Sequence, residues 1–309
     1  MPEPSTSPDL SSQDRAHEHY LAWVRSLSAQ RRHGPDDRLG SLNLLDAAAR
    51  LRGRDSIRTG QAVSLARPLW PGDDSNGACS ITVFERELGP TTVMAGDHIE
   101  LTCHGLESTH IDALNHMAYD RRWYDGRSAD EETPDGVVPT SVIDLADVGI
   151  FTRAVHVDIA KGRGVDWVTP DEPVTADDIE RCLATSGTTF EPGDALLLDC
   201  GRDRYERMHG SLAASPQRGG SGSSAAEWLA DARPSLLCWD LLDVANHTDP
   251  RGVVHLLHWA IGLVLVDNCD FTQARASFES HGTGTGALVV APLRIPGATG
   301  SCVNPLLIL

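Results

Sequence analysis

The sequence has few basic residues for its length: 26 Lys and Arg stand against 44 Asp and Glu in 309 residues, a formal net charge of −18. Such a chain lacks the cationic surface that a nucleic-acid backbone or an anionic membrane attracts. No apolar run approaches the roughly 20 residues of a membrane span, and the N-terminus lacks the basic and apolar regions of a secretion signal. The sequence therefore predicts a cytoplasmic protein with no nucleic-acid or membrane partner.

Paired cysteines are also missing. The seven cysteines are widely scattered and include no Cys-x-x-Cys, which argues against a disulfide framework or a zinc knuckle. A content of 40% apolar residues with seven Trp is typical of a globular chain. The first 15 residues are rich in Pro, Ser and Asp and are expected to be disordered. Residues 16–309 are then expected to form one domain.

The apolar pattern predicts both helices and strands, and hence an α/β fold with a mixed β core and helices packed outside it. A capping pair, Thr175 and Asp178, marks one helix start. The predicted helices are 14–29, 45–51, 177–185, 227–232 and 253–261. The predicted strands are 62–66, 81–84, 98–103, 154–159, 194–199, 262–267 and 287–292.

The most informative segment is His110-Ile-Asp112, followed by His116. Side chains alternate along a strand, so His110 and Asp112 would point to one face if this segment is extended. Two imidazoles and a carboxylate are typical ligands of a divalent metal ion. His-x-Asp is a common spacing, however, and in isolation a structural role is equally expected.

A second half of such a site has to come from elsewhere in the chain, and the best candidates are His255 and Asp267. His255 lies near the start of a predicted helix, and Asp267 ends the strand that follows it. Both can return to the same end of a sheet, as a site built from two elements requires. His258, three positions after His255, is a competing ligand or a supporting partner.

The run from His104 to His116 (HGLESTHIDALNH) resembles the signature of the Putative cyclase family, which includes bacterial kynurenine formamidase and isatin hydrolase. Further segments resemble the longer members, among them 37–43, 124–126, 193–199 and 291–301. The resemblance implies a single domain with an open-barrel β core of the kynurenine formamidase type. It also implies one or two divalent ions, zinc or manganese, and a homodimer or homotetramer.

Carried onto this sequence, the resemblance implies His110 and Asp112 as metal ligands, His116 as the catalytic acid/base, and His255 with Asp267 as the distal ligands. Two positions depart from the family pattern. The formamidases have a ligand histidine where this chain has Leu106, so His104 is the nearest substitute. Their distal acid is glutamate, and Asp267 is one methylene shorter, which can shift a second ion or leave only one bound.

Other side chains are candidates for substrate binding. Trp70 and Trp123 flank the motif and can form an aromatic pocket wall. Arg202 and Tyr205 follow a predicted strand end, where a carboxylate clamp is expected in α/β sheets, although a solvated charged turn is the more common outcome.

A metal ion held by neutral imidazoles and one carboxylate lowers the pKa of bound water to about 7. The leading hypothesis is thus a metal-dependent hydrolase that opens an amide, lactam or ester of a small cyclic or aromatic substrate, with His116 moving the proton. The first alternative is a metal-dependent cyclase of natural-product biosynthesis. The second is a non-catalytic metal- or ligand-binding protein with a degenerate site.

Overall fold

The computed structural model describes residues 12–30, 32–71, 79–131, 139–212, 219–241, 243 and 253–309. The described strands are β1 Ala62–Ser64, β2 Cys79–Gly89, β3 Thr92–Leu101, β4 His110–Asp112, β5 Ile150–Asp158, β6 Ala195–Asp199, β7 Leu236–Trp239, β8 Val264–Asp267, β9 Thr285–Val290, β10 Gly300–Cys302 and β11 Leu306–Ile308. The described helices are α1 Ser12–Gln30, α2 Ala47–Asp55, α3 Val142–Val148, α4 Ile159–Arg163, α5 Ala176–Ser186, α6 Arg202–His209, α7 Ser223–Ala232, α8 Val253–Ile261 and α9 Thr272–His281, with a 3-10 turn at Gly40–Leu44.

Nine strands form one mixed sheet in the order β1-β11-β9-β5-β6-β7-β8-β4-β10. The central strands β5 to β8 run parallel, and the flanking strands join them antiparallel. The sheet curls into a half-barrel with helices outside it, which confirms the predicted α/β class and the single domain with an open-barrel core.

The core lies on both faces of the sheet because the parallel strands are buried on both sides. In β6, Leu196 and Leu198 join one apolar cluster, whereas Ala195 and Leu197 join the other. A parallel strand covered on two faces reads as a continuous apolar run, which is how the sequence presents β6. Helix α5 begins at the predicted capping box, since the Thr175 side chain accepts from the Asp178 amide and the Asp178 side chain accepts from the Thr175 amide.

Two predicted extents differ from those in the structure. The segments 81–84 and 98–103 are parts of a long hairpin, β2–β3, that pairs outside the nine-stranded sheet. Helix α1 begins at Ser12, so the predicted boundary between a disordered segment and the domain at residue 15 falls inside a helix. The rest of that segment, residues 1–11, lies outside the described residues. Within the described part of the chain, no helix is both long and apolar enough to span a bilayer.

Candidate metal centre

Strand β4 places His110 and Asp112 on the same face of the sheet, as their spacing predicts. The strand is three residues long and buried, and it lies between β8 and β10. Its register sets His110 opposite Asp267 of β8 and Asp112 opposite Gly300 of β10. The sheet therefore brings the two halves of the predicted site together through direct strand pairing.

Asp112 lies at the centre of the histidine cluster. Its Oδ1 is 3.0 Å from His104 Nδ1 and 3.5 Å from His110 Nε2, and its Oδ2 is 3.4 Å from His255 Nε2. Donor atoms bound to one tetrahedral ion at about 2.0–2.1 Å lie roughly 3.3 Å apart. Asp112 belongs to two groups of three candidate ligands, one with His104 and His110 and the other with His116 and His255. Within each group the candidate ligand atoms lie within 4.8 Å of one another.

The distal side of the site consists of His255 near the start of α8 and Asp267 at the end of β8. Asp267 is fully buried; its Oδ1 accepts a hydrogen bond from Trp239 Nε1 at 2.6 Å, and its Oδ2 lies 3.7 Å from His255 Nε2. His255 Nδ1 lies 3.1 Å from Asp243 Oδ2. The Asp243 contact orients the ring through Nδ1, so that Nε2 is the nitrogen that faces Asp112 and Asp267.

His104 and His110 are oriented in a similar way. His110 Nδ1 donates to the Ser108 carbonyl at 2.9 Å, which leaves Nε2 for the centre. His104 Nε2 lies 2.9 Å from Thr299 Oγ1, which leaves Nδ1 facing Asp112. The bends at residues 104–108 bring His104 beside Asp112, although position 106 is Leu.

His116 stacks on His104, with ring centroids 3.9 Å apart, and it is only partly buried. Burial lowers the pKa of His116 to about 4, so its imidazole is neutral at pH 7. Such a ring can accept a proton or coordinate an ion. The geometry therefore allows a ligand role for His116 as well as the predicted acid/base role.

His258 is the competing ligand of the sequence analysis, and the structure shows a different use for it. It is fully buried, with Nδ1 2.8 Å from the Leu263 carbonyl and Nε2 3.1 Å from the Ala113 carbonyl. Both ring nitrogens face backbone oxygens, so neither is left for a metal ion. His258 instead ties α8 to the segment that follows β4.

The buried polar atoms of the centre fit a cation. Both oxygens of Asp112, Oδ2 of Asp267 and Nδ1 of His104 are buried without a hydrogen bond of normal geometry. Buried polar atoms are nearly always satisfied, so four together call for a common partner. Imidazole nitrogens and carboxylate oxygens are a donor set that suits zinc or manganese.

The electrostatics of the centre also call for positive charge. Burial disfavours the charged form of Asp112, but the imidazoles of His104 and His255 outweigh it and hold the pKa of Asp112 well below its usual range. Burial and the charge of Asp112 raise the pKa of Asp267 to about 8. Burial opposes protonation of His255, yet Asp112 and Asp243 raise its pKa well above the usual value. Protons on His255 and Asp267 are what a bound ion would displace.

Arg202, a candidate for binding a substrate carboxylate, is buried and hydrogen-bonded to neighbouring residues. These contacts argue against a role in substrate binding. Its guanidinium is buried and donates to Leu106 O at 2.6 Å, Asn268 Oδ1 at 2.6 Å and Glu206 Oε1 at 2.9 Å. The expectation of a solvated turn does not fit Arg202 either, because its side chain is buried. A guanidinium engaged in this way has no free edge for a substrate carboxylate.

The other three predicted substrate-binding residues, Trp70, Trp123 and Tyr205, differ in how exposed their side chains are. Trp70 is 74% exposed. Trp123 is half-buried in the turn 119–128, and Tyr205 packs its ring against Trp167 and His209. Among the described residues, none of these three rings contacts a histidine of the centre, so their substrate roles stay predictions.

Asp243, Trp239 and Asn268 support the centre, and no pattern in the sequence marked any of the three. Asp243 orients His255, and Trp239 holds Asp267. Asn268 has a left-handed backbone (φ +57°), a conformation that asparagine tolerates better than most residues. Only its position, directly after a ligand candidate, could have drawn attention to it.

The sequence model of the family described as Putative cyclase matches residues 43–246, about two thirds of the chain. This chain belongs to the Putative cyclase family. The match includes His104 to His116, whereas His255 and Asp267 lie beyond it. Among the curated proteins, none matches the sequence.

Solved structures share the fold across most of the chain. One described as a novel cyclase has a TM-score of 0.75 at 23% identity and covers 90% of this chain and 96% of its own. An isatin hydrolase bound to the product analogue thioisatinate has a TM-score of 0.55 at 17% identity, covering 86% and 99%. Isatin hydrolase A from Labrenzia aggregata, bound to benzyl benzoate, has a TM-score of 0.51 at 18% identity, covering 82% and 94%. At these identities the likeness establishes the fold.

Proposed function

We propose that this Putative cyclase family member is a metal-dependent hydrolase that opens an amide, lactam or ester carbonyl of a small cyclic or aromatic substrate. The observation that carries the proposal is Asp112, a buried carboxylate whose two oxygens face imidazoles on opposite sides. Such an arrangement suits one ion, or two ions that share the carboxylate. Isatin hydrolases among the fold relatives support a hydrolytic use of the site and a carbon–nitrogen bond as the target.

The metal, zinc or manganese, would be held by His104, His110, Asp112, His255 and Asp267, and it would supply a Lewis acid and an activated water. The chain's own groups supply geometry and proton transfer. His116 is neutral at pH 7 and partly exposed, so it can take a proton from the attacking water and return it to the leaving nitrogen or oxygen. Asp243 and Thr299 keep the facing nitrogens aligned.

The test is a pH-stat assay of the zinc- or manganese-loaded protein with N-formylkynurenine, isatin and a lactone panel. Hydrolysis makes one carboxylic acid per turnover, so base uptake is expected to equal product formation. The His116→Asn variant should bind the metal but lose about 100-fold or more in kcat. No base uptake on any substrate, with metal bound at full occupancy, would contradict the proposal.

A cyclase is the second candidate, because the family description and the fold relative with a TM-score of 0.75 both carry that word. Mass spectrometry separates the two reactions. Hydrolysis of a lactam or lactone gives one product heavier by one water, and hydrolysis of an open-chain amide gives two products whose masses sum to substrate plus water. Ring formation loses water or leaves the mass unchanged. A protein that binds metal but turns over neither substrate class would match the third alternative, a non-catalytic binding protein. The cytoplasmic location and the homodimer or homotetramer stay predictions.

A further inference from the structure

Two cysteines, Cys103 and Cys302, lie side by side at the edge of the metal centre. Cys103 directly precedes His104, and Cys302 is the last residue of β10. Their thiols are hydrogen-bonded to each other. Within the described part of the chain, the two groups of candidate metal ligands include no cysteine. The metal centre therefore leaves this pair of thiols without a use.

Backbone and side-chain contacts hold the two cysteines together. His104 Nε2 lies 2.9 Å from Thr299 Oγ1, just before β10. The His104 ring also lies against the first residue of β10, because a Cβ built on Gly300 would come within 2.7 Å of the ring carbon Cε1. These contacts place Cys103, the residue before His104, alongside the strand that ends at Cys302. The proximity of the two thiols is thus part of the fold.

Both thiols of this pair are open to a small reagent from solvent. The side chains of Cys103 and Cys302 are half-buried. Cys238 and Cys269 provide a contrast, because their thiols are also hydrogen-bonded to each other but are fully buried. Oxidation of cysteine depends on exposure, and a second cysteine at hand turns the first oxidation product into a disulfide. The structure therefore separates one pair that a reagent can reach from one that is shielded.

We propose that Cys103 and Cys302 are an oxidation site at which a hydroperoxide, such as hydrogen peroxide, forms an intramolecular disulfide. One sulfur attacks a peroxide oxygen; the O–O bond breaks, one water leaves and a sulfenic acid forms. The other sulfur attacks the sulfenic sulfur; the S–O bond breaks and a second water leaves. The two thiols lose two electrons, which reduce the peroxide, and their two protons end in the two waters.

The disulfide would disturb the metal centre, a step that rests on the proposed function. A covalent S–S distance is about 2.05 Å, shorter than any hydrogen-bonded contact between two sulfurs, so closure draws Cys103 toward β10. The next residue is His104, whose Nδ1 lies 3.0 Å from Asp112 Oδ1. A metal ligand has to stay within about 0.2 Å of its proper distance. The oxidised protein is thus expected to bind metal about tenfold more weakly, or more weakly still.

The same closure acts on a second ligand candidate. Cys302 is the direct cross-strand partner of His110 in the pairing of β10 with β4. The disulfide would therefore link the segment that presents His104 to the strand that pairs with His110. A disulfide of this kind in an otherwise reduced protein is typical of a transient redox response.

The first test is peptide mapping by mass spectrometry of the purified full chain after treatment with a few equivalents of hydrogen peroxide. The expected product has lost two hydrogens and contains one linked pair of peptides, those that carry Cys103 and Cys302. Dithiothreitol should reverse the change. Cys238 and Cys269 should remain thiols, because they are fully buried.

Two single substitutions and one matched control complete this test. Cys103→Ser and Cys302→Ser should form no disulfide under the same treatment. Cys182→Ser changes another half-buried cysteine, one on α5, and should form the disulfide as readily as wild type. A folded wild type in which Cys103 and Cys302 stay thiols, reach separate sulfinic acids or link to other cysteines overturns the proposal.

The effect on the metal centre is measured by competition with a chelator for zinc. Oxidised wild type should have a zinc dissociation constant about tenfold or more above that of the reduced protein. Peroxide-treated Cys302→Ser should bind zinc as its untreated form does. Equal affinity of oxidised and reduced wild type would overturn the link to the metal centre. The disulfide itself is detected without metal or substrate, so its failure is distinguishable from failure of the proposed function.

Discussion

The side-chain amide of Asn268 donates hydrogen bonds to the carbonyl oxygen of Gly105 at 2.6 Å and to that of Ser108 at 3.0 Å. Arg202 completes this contact by donating to Asn268 Oδ1 and to Leu106 O, both at 2.6 Å. The backbone between His104 and His110 is therefore held from the interior at three of its carbonyls, those of Gly105, Leu106 and Ser108. The two ligand candidates at its ends keep their positions because of residues that contact neither imidazole.

Replacing Asn268 by Asp should weaken this support with little change in shape. The carboxylate keeps the pairing with Arg202, but it sets an acceptor against the carbonyls of Gly105 and Ser108. We expect metal affinity to fall about tenfold or more, the range found for residues that orient ligands. The free energy of unfolding should fall by about 1–3 kcal/mol. Titration calorimetry and thermal unfolding measure the two effects; unchanged affinity would contradict this role for Asn268.

Thr299 offers a cleaner test of His104 as a ligand, because Thr299 is exposed and little packing is lost. Its Oγ1 lies 2.9 Å from His104 Nε2. Thr299→Val removes this hydrogen-bond partner and should reduce metal affinity several-fold, whereas Thr299→Ser should keep it. Equal affinity of the Val and Ser variants in a competition assay with a chelator would show that His104 needs no such anchor.

Asp243 should affect metal affinity because it orients the ligand candidate His255. Its Oδ2 accepts from the backbone amide of His255 at 2.6 Å and lies 3.1 Å from the imidazole Nδ1 of the same residue. Asp243→Asn keeps an acceptor and should cost little. Asp243→Ala frees the ring and should weaken metal binding by about 10–100-fold. The metal dissociation constants of the two variants decide this, with circular dichroism as the check on folding.

The affinity for metal should rise with pH through the neutral range. A raised pKa means that His255 carries a proton in the metal-free protein, and the ion binds only the deprotonated ring. Rising pH removes that proton and so strengthens metal binding, whereas falling pH weakens it. Burial lowers the pKa of His110 and His116, so these two rings add little to the pH dependence above about pH 6. Calorimetry in buffers of different ionisation enthalpy should detect about one or more protons released per ion at pH 7.

The sequence predicted the candidate metal ligands better than the residues that hold those ligands in place. His110 and Asp112 share a face because alternation along a strand is local, and β4 obeys it even at three residues. His255 and Asp267 could be paired because they bracket one helix and the next strand. The roles of Arg202 and Asp243 were out of reach, since whether a charged residue is exposed or interior depends on tertiary packing. The extent of the hairpin β2–β3 was missed for a similar reason: its apolar residues are separated by acidic and Gly positions that read as strand ends.

The most direct test of the account is the metal content per chain, by elemental analysis, of wild type, Asp112→Ala and His281→Ala. Asp112 belongs to both groups of three candidate ligands, whereas His281 is an exposed histidine at the end of α9. We predict one or two zinc or manganese ions in wild type and in His281→Ala, and none in Asp112→Ala. A folded wild type without metal after reconstitution, or an Asp112→Ala variant that keeps its metal, would contradict the account.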